Sequence, residues 1–454
     1  MGGWGRWFRR GAPVGGVVAV TAGVVGLLPG MAEAQTGPVS PVPAAGTPAL
    51  VPASTTEQVR QLVECGGTMY AVGNFTQIGQ GGITYPRSNI FSFSATAPYA
   101  ITSWAPSANG TVNSIQLTPD CTHAYIGGSF TQVDGSSASD IAYIRTYNNT
   151  MVQDWAHSAN KLVDTLLLTP NGHLLVGGQF TSINGSNTGY YVSLSPSTGA
   201  NDGYLNLNIS GHYSFPGSAP NNTEVYNQQL SPDGGHVLAE GTFTKVEGTS
   251  RRQIFMLNLG THGNLSDWYS NEFSAYCADK HPFYIKAAAF SPDGSTVYVA
   301  DTGFAPLNWN KQFPLTGICD AVAAFPATRV GGLAHEWVNY TGCDSLYSVA
   351  ADPFAVYVGG HERWADNASG CNAAGSLAIP SPGMGGFTPG PTGGQLLTDP
   401  TGTTGLYSRG RGLGADDMLI TPAGLWIASD NDAGTDTCGG VSGLAGICFL
   451  PYTS

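Results

Sequence analysis

The sequence predicts an all-β protein, a seven-bladed β-propeller of four-stranded antiparallel blades, and three observations lead to this prediction. The first is a motif in which two glycines, or one glycine beside a small residue, follow an apolar run and precede Phe-Thr and a polar turn. It occurs as IGGSFTQVDGSS (126–137), VGGQFTSINGSN (176–187), AVGNFTQIGQGG (71–82) and AEGTFTKVEGTS (239–250). The second is the spacing of the motif, close to 60 residues. The third is composition: 63 Gly and 29 Pro with 42% hydrophobic residues indicate many tight turns and too much apolar sequence for disorder.

The repeat continues beyond the four motif copies and gives seven units. Aligned on one aromatic or aliphatic position, the units fall at Tyr70, Tyr125, Leu175, Leu238, Tyr298, Tyr357 and Trp426. Turn sequences such as LSPDG (230–234) and FSPDG (290–294) precede several of these positions, and they join two apolar runs into a hairpin. A unit of this length holds four short strands. Sheets of that size bury both faces only when they stack radially against one another.

Blade two shows the strand pattern that we expect in every blade. Its four strands are predicted at Val112–Leu117, His123–Gly127, Ile141–Tyr147 and Met151–Trp155. A tryptophan recurs where the outer strand is expected, at Trp104, Trp155, Trp268 and Trp337. In the motif, Gly lets the chain bend as the second strand ends, and Phe is expected to fill the space between neighbouring sheets. The motif is therefore interpreted mainly as packing.

The two ends of the chain predict export and ring closure. Residues 1–34 are typical of a signal peptide, with Arg6, Arg9 and Arg10 before a short apolar run and a small-residue cleavage site at its end. Residues 35–46 are predicted to be a linker and 47–454 the propeller, with no membrane span. The last blade has three predicted strands, at Asp417–Ile420, Leu425–Ala428 and Ile447–Pro451. We expect Thr47–Ala53 to supply the fourth, so that no sheet edge stays open.

Charge and cysteine content narrow the class of partner. The net charge is −13, only 10% of residues are charged, and there is no basic stripe, which argues against nucleic acid and anionic membranes as partners. Eight cysteines, an even number, all follow the predicted signal peptide, so disulfides are expected. From their equivalent places in the repeat we predict the pairs Cys277–Cys319, Cys343–Cys371, Cys438–Cys448 and Cys65–Cys121. A metal–thiolate site is disfavoured because no CxxC spacing occurs.

The motif copies resemble the delta-sixty-type repeats of secreted bacterial β-propellers. The segment FSPDGSTVYVADTG (290–303) also resembles the YVTN-type repeat of bacterial surface propellers. Both resemblances imply an exported bacterial propeller over roughly residues 58–450. They imply no catalytic residue, because the matching positions are structural.

Departures from the repeat in blades five to seven supply the candidate site. After the second strand, where blades one to four carry Phe-Thr, these blades carry polar and aromatic residues. The ligand-binding candidates are Asp301, Trp309, His361, Trp364 and Asp366, and the catalytic candidates are His361, Glu362 and Arg363. Equivalent loops lie on one face of a propeller, beside connectors that hold Lys280, His281, Asp344, Arg409 and Arg411. Pockets form where a repeat breaks its symmetry. Solvated structural loops are the alternative interpretation.

Two further patterns in these loops point to possible ligands. In DNDAGTD (430–436), Asp430, Asp432 and Asp436 resemble part of a calcium loop, although the full loop pattern is absent. Calcium is the cofactor that this pattern suggests. Trp309 and Trp364 lie outside the repeated tryptophan positions, and an exposed indole ring stacks well on a sugar.

Two functions remain open from the sequence. The preferred one is a secreted, monomeric binding or scaffold module for an extracellular glycan, a cell-wall component or a protein. The alternative is a propeller lyase or hydrolase that acts on an extracellular polymer through the face of blades five to seven. No GxSxG, HExxH, Walker or dinucleotide motif occurs. The enzyme requires His361, Glu362, Arg363 and an aspartate to converge in one pocket, whereas binding requires only an exposed patch.

Overall fold

The fold is all-β. A computed structural model describes residues 35–51, 56–213, 222–274, 277, 283–303, 318–408, 414–430, 437–438, 441–442 and 444–453. Within these residues the chain forms β-strands and one short 3₁₀ helix, Asn271–Ser274. No helix in this part of the chain has the length and apolar character needed to cross a bilayer.

Seven antiparallel sheets follow one another along the chain, and we number them 1 to 7. Their strands are Gln58–Cys65, Thr68–Asn74 and Ile90–Ser94 in sheet 1; Thr111–Leu117, His123–Ser129 and Ile141–Arg145 in sheet 2; Val163–Leu168, Leu174–Gly178 and Tyr191–Leu194 in sheet 3; Val225–Leu230, His236–Gly241, Ile254–Asn258 and Asn264–Leu265 in sheet 4; Ile285–Phe290, Thr296–Asp301, Ala321–Pro326 and Trp337–Tyr340 in sheet 5; Leu346–Ala351, Val356–Gly360 and Met384–Phe387 in sheet 6; and Ala415–Thr421, Gly424–Ser429 and Ile447–Pro451 in sheet 7. Within each sheet the strands pair in chain order, as a meander.

The outer strand differs from the sequence prediction. Only sheets 4 and 5 have four strands among the described residues. In sheets 1, 2, 3 and 6 the predicted outer strand is reduced to a single bridge, at Phe93–Ile101, Ile144–Met151, Leu194–Asn201 and Phe387–Leu396. These segments are short and rich in turn residues, so the chain leaves the sheet after one pairing.

Short ribbons fill the connections around the sheets. They are Ala49–Leu50 with Gln77–Gln80 and Ile83–Pro86; Gln132–Val133 with Ser136–Ser137; Ile209–Ser210 with Lys245–Val246 and Thr249–Ser250; Trp268–Tyr269 with Gly331–Gly332; Trp364–Ala365 with Ile379–Pro380; and Thr437–Cys438 with Val441–Ser442. Several of them lie in the loop between the second and third strands of a sheet, where the motif continues into its polar turn.

The sheets pack as the blades of a β-propeller pack, each with its first strand beside the first strand of the next. Side chains also link these strands. The Ile115 amide donates to Oε1 of Gln61 (2.6 Å), which joins sheets 1 and 2, and the Leu166 amide donates to Oγ of Ser114 (3.1 Å), which joins sheets 2 and 3. The Leu62 amide donates to Oδ2 of Asp417 (3.1 Å), which joins sheet 7 to sheet 1 in the same manner. The first strands of sheets 7 and 1 are in contact.

The motif residues have the packing role that the sequence predicts. Phe130 and Phe180 are buried in the apolar layers of sheets 2 and 3. A Cβ at the first glycine of the motif in sheet 2, Gly127, would lie 2.5 Å from Cγ1 of Val163 in sheet 3. The sequence therefore places glycine where the next sheet approaches most closely.

The N-terminal segment lies along the last strand over a longer stretch than we predicted. Val39 forms a bridge with Tyr452, and the Ser40 and Ala44 amides donate to the carbonyls of Pro451 and Phe449. Two prolines, at 41 and 43, lie between those donors, and an edge strand tolerates proline where no amide is needed. Within the predicted Thr47–Ala53, the Thr47 hydroxyl donates to the Ile447 carbonyl and the Leu50 amide to that of Ala445, while Ala49–Leu50 pairs as a strand with Gln77–Gln80. The prediction that this segment is a regular outer strand of the last sheet is therefore not confirmed.

All four predicted disulfides are confirmed: Cys65–Cys121, Cys277–Cys319, Cys343–Cys371 and Cys438–Cys448. The first joins the hairpin turns of sheets 1 and 2. The other three fasten the connectors and loops of sheets 5, 6 and 7. No cysteine among the described residues is free, and this pattern fits an extracellular protein.

Candidate functional site

Every first strand carries a β-bulge at the same place. In sheet 1, Val59 pairs with Gly73 and Gln61 pairs with Val72, so the residue between them has no partner. The same register shift recurs in all seven sheets. The bulged residues, which we call the axial ring, are Arg60, Asn113, Asp164, Tyr226, Lys286, Tyr347 and Asp416.

The glycines of the motif make room for these bulges. A Cβ at Gly128 would lie 2.2 Å from the carbonyl oxygen of Thr111, and one at Gly360 would lie 2.2 Å from that of Ser345. No side chain fits between the second strand and the bulged first strand at these two positions. A bulge changes the direction of a side chain. The repeated motif therefore does more than pack neighbouring sheets. Its glycine leaves room for the bulge, and the bulge directs one side chain of each sheet toward the axis.

The axial ring lines one cavity of about 660 Å³. All seven ring residues contribute to its wall, together with polar neighbours such as Gln58, Gln61 and Gln116. Each ring side chain is partly exposed, whereas the residue before each bulge is buried. The bulges lie near the beginning of the first strands and the end of the second. The ring is therefore close to the face that carries the loops following the second strands.

One half of the ring is a continuous chain of hydrogen bonds, which we call the polar arc. Gln58 donates to Asp416 (2.9 Å) and accepts from Nε and Nη2 of Arg60 (3.0 and 2.8 Å). Arg60 Nη1 donates to Oδ1 of Asn113 (2.6 Å), and Asn113 Nδ2 donates to Oδ1 of Asp164 (3.0 Å). Oδ2 of Asp164 is buried and has no partner among the described residues. The polar arc thus holds its charged groups in place and leaves one carboxyl oxygen unpaired.

The other half, the lysine arc, is built differently. The Lys286 ammonium lies 5.5 Å from the ring centre of Tyr226 and 5.8 Å from that of Tyr347. The two tyrosine hydroxyls are bonded elsewhere, to the carbonyl of Ile285 and to Nδ1 of His361 (3.2 Å). No ion pair or hydrogen bond to the ammonium of Lys286 is found within the part of the chain that the structure describes. A cation between two aromatic faces is favourable, yet its donors remain available.

The cavity shifts the pKa values of the groups that line it. Burial, helped by the nearby Glu224 carboxylate, raises the pKa of the Asp164 carboxyl to about 8. Burial likewise raises the pKa of Asp416, to about 7, although the positive charge of Arg60 acts to lower it. Burial lowers the pKa of Lys286, which the neighbouring Asp416 opposes. Near neutral pH the two aspartates are therefore partly protonated.

One of the predicted ligand-binding residues, Asp301, does not line this cavity, and another is outside the described residues. Asp301 occupies the strand position that glycine takes in sheets 1 to 4 and 6, and it is fully buried. Its Oδ1 accepts from the Ala321 amide (3.1 Å), and burial beside Asp320 raises its pKa well above the ordinary value. Trp309 lies outside the described residues, as do Lys280, His281, Arg409 and Arg411.

The predicted catalytic residues of sheet 6 point to different environments. His361 is half-exposed; its Nδ1 is 3.2 Å from the Tyr347 hydroxyl and its Nε2 is 3.8 Å from Oδ2 of Asp430. Glu362 is buried, neither carboxyl oxygen has a partner among the described residues, and burial raises its pKa well above the ordinary value. Only His361 of this pair reaches the axial ring, through Tyr347.

Arg363, Trp364 and Asp366 form local structure in the same loop. Nε and Nη2 of Arg363 both donate to the Asp344 carboxylate at 2.7 Å, and the guanidinium lies 4.4 Å from the ring centre of Trp364. Asp366 exchanges two hydrogen bonds with Asn339, at 2.7 and 2.9 Å. These contacts anchor the loop, and the structure does not bring His361, Glu362 and Arg363 together around one point.

The calcium prediction concerns residues that are mostly outside the structure. Asp430 directly follows the second strand of sheet 7, whereas Asp432 and Asp436 are outside the described residues. Within the described ranges no group of three or more His, Cys, Asp or Glu side chains is placed to hold a metal ion. The calcium assignment stays a prediction.

Sequence reasoning missed the axial ring, although a signal for it was present. The repeat alignment places Asn113, Tyr226 and Lys286 at one distance, twelve residues before Tyr125, Leu238 and Tyr298. The seven positions vary in chemistry, whereas the residue before each of them is apolar. Such an alignment does not reveal a bulge unless the motif glycine is recognised as the residue of the second strand that lies opposite it.

Comparison with known proteins gives a fold-level likeness only. No family model and no curated protein matches the chain, so the resemblance to delta-sixty-type and YVTN-type repeats stays a prediction. Among solved structures, the chain is similar to U3-55K (10% identity, 90% of this chain and 100% of that one, TM-score 0.48). It is also similar to a protein described as a 6-phosphogluconolactonase from Bacteroides uniformis (14%, 83% and 90%, 0.46) and to the WD40 β-propeller domain of Doa1 (9%, 88% and 95%, 0.39). Likeness at this level transfers no function.

Proposed function

We propose that the chain is an exported, seven-bladed β-propeller that binds a hydroxyl-rich extracellular ligand, a glycan or a cell-wall component, in its axial cavity. The blades are sheets 1 to 7, and the ring is closed by residues 39–44 along sheet 7 and by the contact of that sheet with sheet 1. The four disulfides support an extracellular site of action.

The observation that carries the proposal is the convergence of seven bulged residues, one from each sheet, on one cavity. Packing alone does not require it, since burial of charged groups costs free energy unless they are paired. Here Asp164 keeps an unpaired oxygen and Lys286 an unpaired ammonium among the described residues. Groups left in that state, in a cavity of ligand size, are expected to be completed by a ligand.

The size and lining of the cavity suit a small part of a polysaccharide. A volume of about 660 Å³ lies within the range of small-molecule sites and admits one or two sugar units. The wall carries amide, carboxyl, ammonium and hydroxyl groups, which both donate and accept hydrogen bonds. The tyrosine rings of the lysine arc add apolar surface on which a sugar face can stack.

Variants of the ring test the proposal against the sheet 6 loop. We expect the wild-type chain to bind soluble wall or glycan fragments, and Asn113→Ala to weaken binding by about tenfold or more, because it breaks the link between Arg60 and Asp164. Trp364→Ala is the matched control outside the cavity and should bind as the wild type does. Calorimetric titration measures both.

The converse result would overturn the axial site: if Trp364→Ala loses affinity and Asn113→Ala does not, the ligand binds on the loop face. Absence of binding to any glycan or wall fraction would remove the proposed ligand class. A thermal melt of each variant separates loss of fold from loss of binding.

One observation also favours an enzyme. Asp164 and Asp416 have pKa values of about 8 and 7, close to the working pH of an acid/base pair, and they share the cavity with Lys286. A lyase or hydrolase would therefore use these aspartates rather than Glu362 or Arg363. Incubation of bound glycan fragments with wild type and with Asp164→Asn, followed by mass analysis, tests this function. Intact fragments with the wild type would leave binding as the function.

A further inference from the structure

Lys286 differs from the other charged residues of the axial ring. Arg60 donates three hydrogen bonds to Gln58 and Asn113, Asp416 accepts from Gln58, and Asp164 accepts from Asn113. The Lys286 ammonium has only the faces of Tyr226 and Tyr347 beside it among the described residues. The polar arc is satisfied internally except at one oxygen, whereas the lysine arc presents a complete set of free donors.

The surroundings of Lys286 strengthen any interaction that it makes. The tyrosine rings flank the ammonium and burial lowers the pKa of Lys286, and electrostatic attraction grows as the local dielectric constant falls. The nearest carboxyl groups of the ring, Asp164 and Asp416, belong to the polar arc and are held there by Asn113 and Gln58. A partly exposed cation in this position, without an ion pair among the described residues, is completed best by an anion that enters the cavity.

The polar arc complements an anion at Lys286. It offers the unpaired Oδ2 of Asp164 and the amide groups of Asn113 and Gln58, which recognise hydroxyl groups. A ligand unit satisfies both halves of the ring if its negatively charged group faces the lysine arc and its hydroxyl groups face the polar arc. A sugar carboxylate has this form, with one charge and several hydroxyls on a single ring.

We propose that the axial cavity binds an acidic saccharide, with the sugar carboxylate held by Lys286 between Tyr226 and Tyr347 and the hydroxyl groups held by the polar arc. This inference rests on the proposed binding function and narrows its ligand to uronate-type units. It also assigns Lys286 as the residue that distinguishes acidic from neutral saccharides.

A matched pair of ligands and three variants test the assignment. Galacturonate and galactose oligomers of equal length are titrated into the full chain by calorimetry. We expect the acidic oligomer to bind about 30-fold or more tightly than the neutral one, and Lys286→Met to abolish that preference. Lys286→Arg keeps the charge and should keep most of the preference. Lys245→Met, at an exposed lysine of the ribbon between the second and third strands of sheet 4, is the control and should change nothing.

The outcomes separate the two proposals. Equal affinity for both oligomers, or a preference that survives Lys286→Met, overturns the acidic-saccharide assignment and leaves glycan binding standing. Absence of binding to either oligomer, with retained binding to another wall fraction, also overturns the assignment. No binding to any of these ligands overturns the proposed function itself.

The pH dependence of acidic-oligomer binding supplies a second test. The groups around Lys286 are Asp416, Glu224, Asp164 and Arg60. Asp416 and Asp164, with pKa values of about 7 and 8, gain negative charge as the pH rises from 6 to 9 and repel a carboxylate. We expect affinity for the galacturonate oligomer to fall across this range, with Asp164→Asn reducing the fall. Affinity that rises with pH would contradict a carboxylate at Lys286.

Discussion

The axial ring and the Glu362–Asp366 loop of sheet 6 carry similar residue types and use them in opposite ways. In the loop, Arg363 is paired with Asp344 in a two-bond contact and Asp366 with Asn339. In the ring, the Lys286 ammonium and one oxygen of Asp164 have no partner among the described residues. The Glu362 carboxyl of the loop is also unpaired among the described residues, but it does not line the axial cavity. Unpaired charged residues therefore indicate a site only where they share a cavity.

The difference has a structural origin. The loop is a single departure from the repeat, and its side chains are free to pair with the nearest connector, which is fastened by Cys343–Cys371. The ring is imposed by the repeat itself, since each sheet contributes one bulged residue whatever its chemistry. Because the backbone fixes all seven positions, their side chains can vary without loss of the fold. The choice of side chain at these fixed positions can therefore set which ligand the cavity binds.

Removal of the Cys343–Cys371 bond is the strongest test of this separation. Cross-links over 28 residues stabilise by about 3 to 4 kcal/mol through the unfolded chain. We expect Cys343→Ala with Cys371→Ala to lower the free energy of unfolding by that amount in urea titration, and glycan affinity at 10 °C to stay within about twofold of wild type. Loss of affinity in a folded double variant would show that the loop belongs to the site.

Glu362→Gln tests the same comparison between loop and ring, with an intermediate expected change in stability. Burial raises the pKa of Glu362 in the folded chain well above its value in the unfolded chain. Above the unfolded pKa, the folded state therefore holds a proton that the unfolded state has released, and stability falls as the pH rises. We expect Glu362→Gln to be more stable than wild type at pH 8 by about 1 to 3 kcal/mol and nearly equal to it at pH 4.

The measurement is urea unfolding at the two pH values, with glycan titration beside it. Asp164→Asn is the partner variant in the ring, where burial raises the carboxyl pKa in the same direction. Both variants are expected to flatten the pH dependence of stability, but only Asp164→Asn should alter affinity. A stability profile of Glu362→Gln that still falls with pH as steeply as wild type would contradict the burial of that carboxyl.

Sequence reasoning predicted the sheets and the disulfides because both follow from local pattern. Apolar runs joined by a Pro-Ala-Gly turn gave the first and second strands of sheet 7 within two residues at each end, and cysteine pairs at equal distances from Tyr298 and Tyr357 gave two bonds. Outer strands were overpredicted, since a single bridge such as Ile144–Met151 leaves the same apolar pattern as a strand.

The candidate site was predicted less well because it depends on register. A bulge shifts one residue relative to its partner strand, and sequence alone does not show which residue is unpaired. The segment along sheet 7 begins at Val39, eight residues before the predicted Thr47, for a related reason: prolines at 41 and 43 argued for a linker, although an edge strand tolerates them.

Tyr347→Phe gives the smallest expected effect and tests the border between the two regions. The hydroxyl of Tyr347 lies 3.2 Å from Nδ1 of His361, and its ring faces Lys286 at 5.8 Å. Phenylalanine keeps the ring and removes the link to the loop, so we expect a stability change of at most about 1 kcal/mol and an affinity change below about threefold. Tyr347→Ala, which also removes the ring, should weaken binding further. If Tyr347→Phe instead reduces affinity as much as Lys286→Met does, the hydroxyl and His361 take part in binding, and the ring and the loop are one site rather than two.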